Sequence, residues 1–173
     1  MSDLRWDDVR HLLDDELVGA LPDGWVDATT VADWQTVLDL VQAGTRRWQS
    51  DEEPLPTAVE LAARRNGSDA EILPVRVEVA PGAWVHLWFL AVETIDFDID
   101  VRQVRGQQAL DGLCDFLRDV GRALDRSVWV APEGVEEPVL GYDVALGRVV
   151  RCPVSWERDV RARRRHRFRA RRG

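Results

Sequence analysis

The chain has 173 residues, enough for one domain whose core needs neither disulfides nor metals. Hydrophobic residues make up 45% of it and charged residues 31%, the balance of an ordinary globular protein. All 23 basic side chains are Arg and none is Lys, which excludes Walker-A, Schiff-base and kinase-type lysine chemistry.

The charge is divided unevenly along the chain. Residues 1–156 hold 14 Arg against 29 Asp and Glu, a net charge of −15, whereas residues 157–173 hold nine Arg against two acids, a net charge of +7. We therefore expect a single acidic domain over residues 1–156 with an Arg-rich tail at 157–173. Within the domain, residues 1–65 are predicted to be helical, and residues 71–156 to form a sheet with one helix.

Three helices are predicted in the N-terminal part. The first begins at Ser2 and carries an apolar stripe through Leu17. The capping boxes Thr30-x-x-Asp33 and Thr57-x-x-Glu60 begin the second and third helices. The predicted interruptions are a turn at Gly19–Gly24 and a polar linker at Gln49–Pro56.

The apolar period changes from 3.6 to 2 at Val75–Val79, which predicts a strand. Pro81-Gly82 suits a type II turn, so a second strand is expected from Trp84. The apolar run beyond it is too long for one strand and should break near Glu93-Thr94. Its first half is apolar on both faces and is expected to be central and covered on both sides. Its second half alternates, so one face should meet solvent.

A long helix is predicted over Gln107–Leu124, with Cys114 and Gly121 small enough to let it lie close to a sheet. Three short strands follow it. The order α-α-α-β-β-β-α-β-β-β predicts an α+β fold with a mainly antiparallel sheet of five to six strands. The N-terminal helices and the long helix are expected to pack on this sheet, on opposite faces.

Three carboxylates form the first candidate site. Asp96, Asp98 and Asp100 are spaced by two, which puts them on one face of a strand. Such oxygen ligands suit Mg²⁺ or Mn²⁺. The alternative is a solvated strand face, neutralised by Arg102 or Arg105.

The segment Ile95-Asp96-Phe97-Asp98-Ile99 resembles the paired-acid strand of nucleotidyltransferases. That resemblance implies carboxylates that hold two Mg²⁺, but it covers five residues only. The family's Gly-Ser signature is missing at its usual distance, because Gly67-Ser68 lies too far upstream and Gly82-Ala83 is the wrong pair. The sequence indicates no other cofactor.

Alternation within one strand also places His86 between the indoles of Trp84 and Trp88. These three residues could line a ligand pocket with one titrating group, or His86 could be a core histidine beneath a helix. Cys114 and Cys152 lack the spacing of a zinc site and are expected to be buried thiols.

The tail is the third candidate. Its central arginines could bind phosphates by releasing counter-ions, contact a protein partner, rest on the acidic body or stay solvated. The acidic body would repel a nucleic-acid backbone, so nucleic acid is expected at the tail alone. The arginines assigned to this role are Arg163, Arg164, Arg165, Arg167 and Arg169.

The sequence reveals no specific function. Because no catalytic constellation stands out, we expect a non-enzymatic protein-interaction domain, such as an immunity-type or antitoxin-like inhibitor of a basic partner, or one half of a homodimer. The alternatives are a small-ligand or metal-dependent enzyme and nucleic-acid contact through the tail.

The acidic N-terminus lacks signal-peptide features and no apolar run is long enough for a membrane span, so a cytoplasmic location without membrane contact is expected. The Arg-rich, Lys-free composition is similar to that of proteins from high-GC bacteria.

Overall fold

The computed structural model describes residues 4–65 and 72–154. It confirms an α+β fold with an antiparallel sheet, but the sheet has eight strands rather than five or six. The helices are α1 (Trp6–Val9), α2 (Asp15–Val18), α3 (Val31–Ala43), α4 (Ala58–Arg65) and α5 (Gly106–Leu124), with a 3-10 turn at Arg10–Leu13. The strands are β1 (Asp23–Asp27), β2 (Trp48–Ser50), β3 (Pro74–Ala80), β4 (Ala83–Trp88), β5 (Thr94–Ile99), β6 (Val128–Ala131), β7 (Leu140–Asp143) and β8 (Arg148–Arg151).

The strand order is β2-β3-β4-β5-β1-β6-β7-β8, so the short N-terminal strand β1 lies in the middle of the sheet. Gly24 of β1 stands opposite Phe97 on one side and Val130 on the other. A Cβ at Gly24 would come within 2.1 Å of the Phe97 ring, so the glycine leaves room for this ring beside β1. The position of β1 in the middle of the sheet places Asp23, Trp25 and Asp27 next to β5.

One face of the sheet is covered by helices. The buried positions of β3, β4 and β5 are the odd-numbered ones, and α5 packs against β3 and β6–β8. Phe116 of α5 meets Phe97 edge-to-face with ring centroids 5.8 Å apart. Helix α3 packs on α5, and its Trp34 lies against Phe89 at 4.6 Å.

Two glycines of α5 permit close approach at opposite ends of the sheet. A Cβ at Gly112 would lie 2.0 Å from the Val79 carbonyl oxygen, and a Cβ at Gly121 would lie 2.1 Å from Tyr142 Cδ1. The expectation that Gly121 brings the helix close to the sheet is therefore confirmed. Because β3 and β7 lie on opposite sides of the central strands, the helix is in close contact with both halves of the sheet.

The opposite face, which we call the open face, carries the even-numbered residues of β4 and β5. Trp84, His86 and Trp88 are half-buried there, in contrast to the buried Val85 and Leu87 of the other face. The expectation that this strand is covered on both sides is therefore wrong. Trp and His combine apolar bodies with N–H groups, so they tolerate partial exposure that an aliphatic run would not.

Several local predictions are confirmed. The turn at Pro81-Gly82 joins β3 to β4, with Gly82 at φ +77° as a type II turn requires. The long apolar run breaks where expected, since β4 ends at Trp88 and β5 begins at Thr94. The Thr30 capping box is complete, with both reciprocal hydrogen bonds.

Other local predictions are wrong. The single first helix is divided into α1, a 3-10 turn and α2, because Asp14 accepts a hydrogen bond from the Glu16 N–H and caps a new helix inside the stripe. The predicted turn at Gly19–Gly24 contains the start of β1. The predicted linker at Gln49–Pro56 contains part of β2. Both missed strands are short.

Within residues 4–65 and 72–154, no helix has the length and apolar character needed to cross a membrane. Residues 157–173, and Ser2 as the predicted first cap, lie outside the described residues.

The close contact at Gly112 generates a prediction about stability. Gly112→Ala should destabilise the protein by about 1–3 kcal/mol, because the new methyl meets a backbone oxygen that cannot move aside freely. Helix propensity alone would give the opposite sign, about 1 kcal/mol of stabilisation. Urea unfolding of the two proteins measures the difference.

Ala123 is exposed in the same helix and serves as the control. Ala123→Gly should cost about 1 kcal/mol from propensity alone. A Gly112→Ala variant more stable than the wild type would contradict the tight contact between α5 and β3.

Candidate functional site

Three adjacent strands place polar and aromatic side chains on the open face. Strand β4 contributes His86 and Trp88, and β5 contributes Asp96 and Asp98, because side chains alternate between the two sheet faces. The register places His86 opposite Asp98 and Trp88 opposite Asp96. Strand β1 then adds Trp25 opposite Asp96, with Asp23 and Asp27 on the same face.

Asp98 is the hydrogen-bonding centre of this face. One of its carboxylate oxygens lies 2.7 Å from His86 Nδ1, and the other accepts a hydrogen bond from Trp88 Nε1 at 2.6 Å. The structure thus brings together His86, Trp88 and Asp98 from the two predicted sites. Trp84 lies apart from them, 5.9 Å from the guanidinium of Arg47.

An open cleft of about 750 Å³ lies beside Asp98, and we call it the acidic cleft. Strands β5 and β1 form the floor of the cleft. Trp88 and Leu90 form one wall, and the loop that joins β6 to β7 forms the other. Its lining residues are Asp23, Gly24, Trp25, Asp27, Trp88, Leu90, Thr94, Asp96, Phe97, Asp98, Gly134, Val135 and Glu136.

The carboxylates of the cleft are held in place by N–H groups. Asp23 accepts a hydrogen bond from the Gly134 amide at 2.9 Å, which fixes the loop against β1. Asp27 accepts one from Trp25 Nε1 at 3.0 Å. These donors orient the carboxylates without a full positive charge beside them.

Among the described residues, no N–H group donates a hydrogen bond to the carboxylate of Asp96. Burial raises the pKa of this carboxyl above its ordinary value, and the nearby carboxylates of Asp27 and Asp23 raise it further. Carboxyl groups that burial and like charges destabilise are frequent in functional sites. The centre of the cleft is therefore a place where a bound cation would be favoured.

The cleft also has apolar edges. Leu90 and Val135 are each 42% exposed, and they stand on opposite walls of the cleft. Together with the rings of Trp25 and Trp88, they offer apolar contact around the acidic floor. Apolar groups beside charged ones are typical of binding surfaces.

The three predicted metal ligands do not converge. Strand β5 ends at Ile99, and Asp100 is nearly buried in a two-pronged pair with Arg102, with contacts of 2.8 and 2.9 Å. The hydrogen bonds from Arg102 lower the pKa of Asp100. Across the described parts of the chain, no group of three or more His, Cys, Asp or Glu side chains could hold a metal ion. The geometry therefore gives the Mg²⁺ hypothesis no support.

The expectation of two buried thiols is confirmed for Cys114 but not for Cys152. Cys114 is buried in α5, and Cys152 is partly buried after β8. Burial, and to a smaller extent Asp143, raises the pKa of Cys152 and disfavours its reactive thiolate. The predicted tail arginines Arg163, Arg164, Arg165, Arg167 and Arg169 lie outside the described residues.

Sequence reasoning missed the part of the site that β1 and the loop after β6 supply. The signal was present in Asp23-Gly-Trp-Val-Asp27, where polar or aromatic residues alternate with small or apolar ones. The flanking Pro22 and the glycine made this segment typical of a turn. Glu136 gave no signal, because its loop reaches the cleft only through the pairing of β6 with β1.

No protein-family model, no curated protein and no solved structure matches this chain.

The raised pKa of Asp96 predicts a pH-dependent stability. Because the folded state holds this proton to higher pH than the unfolded chain, the ionised carboxylate costs stability at neutral pH. Asp96→Asn should therefore be more stable than the wild type at pH 7. The advantage should shrink as pH falls through the folded pKa and vanish below the ordinary value of 3.8. Urea unfolding at several pH values measures it.

Asp7→Asn, at an exposed position in α1, is the matched control and should show no comparable gain. Equal stability of Asp96→Asn and the wild type at pH 7 would contradict the crowding of carboxylates in the cleft.

Proposed function

We propose that this protein is an interaction module whose acidic cleft binds a cationic segment of a protein partner. One observation carries the proposal. The cleft is lined by five carboxylates and two indoles, and none of its described lining residues is Arg, Lys or His. The carboxylates are Asp23, Asp27, Asp96, Asp98 and Glu136.

The carboxylates suit a guanidinium or ammonium group. Asp23 and Asp27 are already oriented by N–H donors, so little ordering is required when a cation arrives. A cation beside Asp96 would offset the repulsion from these neighbours. Charge-assisted pairs of this kind are about twice as strong as neutral hydrogen bonds.

The indoles and the apolar edges suit the rest of such a side chain. Trp25 and Trp88 both line the cleft, and an indole ring is a surface on which a guanidinium can stack. Leu90 and Val135 can contact the methylene stem of Arg or Lys, or an apolar neighbour in the same segment. A peptide segment fits this combination better than a lone metal ion.

An inhibitor that masks a basic partner would use this chemistry, since complementary charge accelerates association and excludes wrong partners. The cytoplasm is the compartment we propose, because a reducing environment suits the buried thiol of Cys114 and the partly buried thiol of Cys152. Nucleic-acid contact through the tail stays a prediction, because the tail lies outside the described residues.

The test is calorimetric titration of the full chain with a hexa-arginine peptide. The double variant Asp27→Asn and Asp96→Asn should weaken binding roughly ten- to a hundredfold, because each lost charge-assisted hydrogen bond is worth about 1.5–3 kcal/mol and part of this is screened. The affinity of the wild type should also fall as salt is added.

The matched control is the double variant Asp7→Asn and Asp8→Asn, which has the same net charge but changes exposed residues of α1. It should bind the peptide nearly as well as the wild type. If the two double variants weaken binding equally, binding reflects overall charge and the cleft is not the site.

A second candidate function, acid–base catalysis on a small ligand, is favoured by one observation. Asp96 has a raised pKa, whereas Asp98, on the same face, lies 2.7 Å from His86 Nδ1 and accepts a hydrogen bond from Trp88 Nε1. Carboxyls in unlike environments can divide the roles of acid and base. The wild type should then hydrolyse some nitrophenyl glycoside or ester, and Asp96→Asn should slow this at least a hundredfold. A wild type inactive on the whole panel would exclude these hydrolyses.

A further inference from the structure

The acidic cleft lies close to the point where the basic end of the chain begins. The last described residue is Val154, and it is buried. Residues 157–173, which carry nine Arg against two acids, follow within three residues. The path of the chain between β8 and the cleft therefore decides whether the tail can reach this site.

The end of β8 runs beside the loop that forms one wall of the cleft. The Cys152 amide donates a hydrogen bond to the Val139 carbonyl at 2.9 Å, so the chain leaves along the end of this loop. The same loop carries Gly134, Val135 and Glu136, which line the cleft. The chain thus leaves β8 beside the end of the loop that also forms one wall of the cleft.

The distance is short compared with the length of the tail. Arg151 pairs with Leu140, which pairs with Val130, and Val130 pairs with Gly24 in the cleft floor. Three strand intervals of about 4.8 Å separate them, or about 14 Å along the sheet. An extended chain covers about 3.3 Å per residue, so roughly five residues are enough.

The charges are complementary. The cleft holds five carboxylates with no cationic side chain in its described lining, and the tail holds nine arginines. A segment tethered at this range has an effective concentration on the order of millimolar. A tether therefore makes even a weak contact between tail and cleft well populated.

We infer that, in the free protein, the Arg-rich residues 157–173 occupy the acidic cleft of their own chain. This inference rests on the proposed function, because it requires a cleft that accepts arginine side chains. The tail then acts as an internal ligand. A partner's cationic segment must displace it, so the tail sets the affinity that a partner experiences.

The test uses the full chain with Arg163, Arg164, Arg165 and Arg167 changed to Gln, titrated with the hexa-arginine peptide. Because four of the nine tail arginines are lost, the internal competitor is weakened and peptide binding should tighten roughly tenfold, given the effective concentration of a tethered segment. The matched control changes four exposed arginines elsewhere to Gln, namely Arg5, Arg10, Arg122 and Arg148. It has the same net charge and should tighten binding much less.

The failure of this inference differs from the failure of the proposed function. If Asp27→Asn with Asp96→Asn, made in the tail variant whose internal competitor is weakened, leaves peptide binding unchanged, the cleft is not the site and both proposals fail. If those cleft substitutions weaken binding in the tail variant, but the tail variant by itself binds the peptide no more tightly than its control, the cleft binds cations and only the internal ligand is wrong.

Two other results would assign the tail to a different occupant. Light scattering that finds a wild-type dimer, dissociated by the tail substitutions, would place the tail in the cleft of a second copy and overturn the assignment to the same chain. Wild-type binding of mixed nucleic acid that the tail variant loses, without tighter peptide binding, would assign the arginines to phosphates and also overturn the inference.

Discussion

The close packing of α5 against one face of the sheet is the constraint on which the rest of the structure depends. Gly112 and Gly121 stand about 13 Å apart along the helix at 1.5 Å per residue, and each brings the helix backbone against a different part of the sheet. Helix α5 contacts β3 on one side of the central strands and β7 on the other, so its apolar side chains pack across the width of the sheet. Helix α3 packs on α5, and the hydrophobic core lies between these helices and the odd-numbered strand residues of β3–β5.

This arrangement leaves the other sheet face without a covering layer from α5, and the composition of that face follows from it. Half-buried positions suit residues with an apolar body and a polar end, which explains Trp25, Trp88 and His86 on the open face. Their N–H groups need acceptors, and Asp27 and Asp98 supply them. The N–H donors in the cleft bond to the neighbouring carboxylates and none bonds to Asp96 among the described residues. Asp96 is therefore left beside the like charges of Asp23 and Asp27, which raise its pKa.

Local patterns predicted the elements well and their assembly poorly. The long helix, the capping box at Thr30 and the hairpin at Pro81-Gly82 depend on residues close in sequence, and these were predicted. Strand β1 was missed because Gly24 and short length disfavour a strand locally, although the Phe97 ring requires that glycine. The position of β1 between β5 and β6 is a long-range pairing that no local pattern encodes, so the meeting of Asp23 and Asp27 with Asp96 could not be predicted. The alternation of Asp96 and Asp98 could be predicted, and so could that of His86 and Trp88.

A cleft with these carboxylates makes the free fold less stable than the same sheet would be with neutral side chains at Asp96. Binding sites commonly carry such a cost, since groups arranged for a ligand are not arranged for stability. Any cation that binds the folded state alone returns part of this free energy, in proportion to its concentration and affinity. The net charge of −8 is therefore a poor description of the molecule. What matters for its interactions is that five of its carboxylates face one open cleft, while nine of its arginines follow a strand that ends at the wall of that cleft.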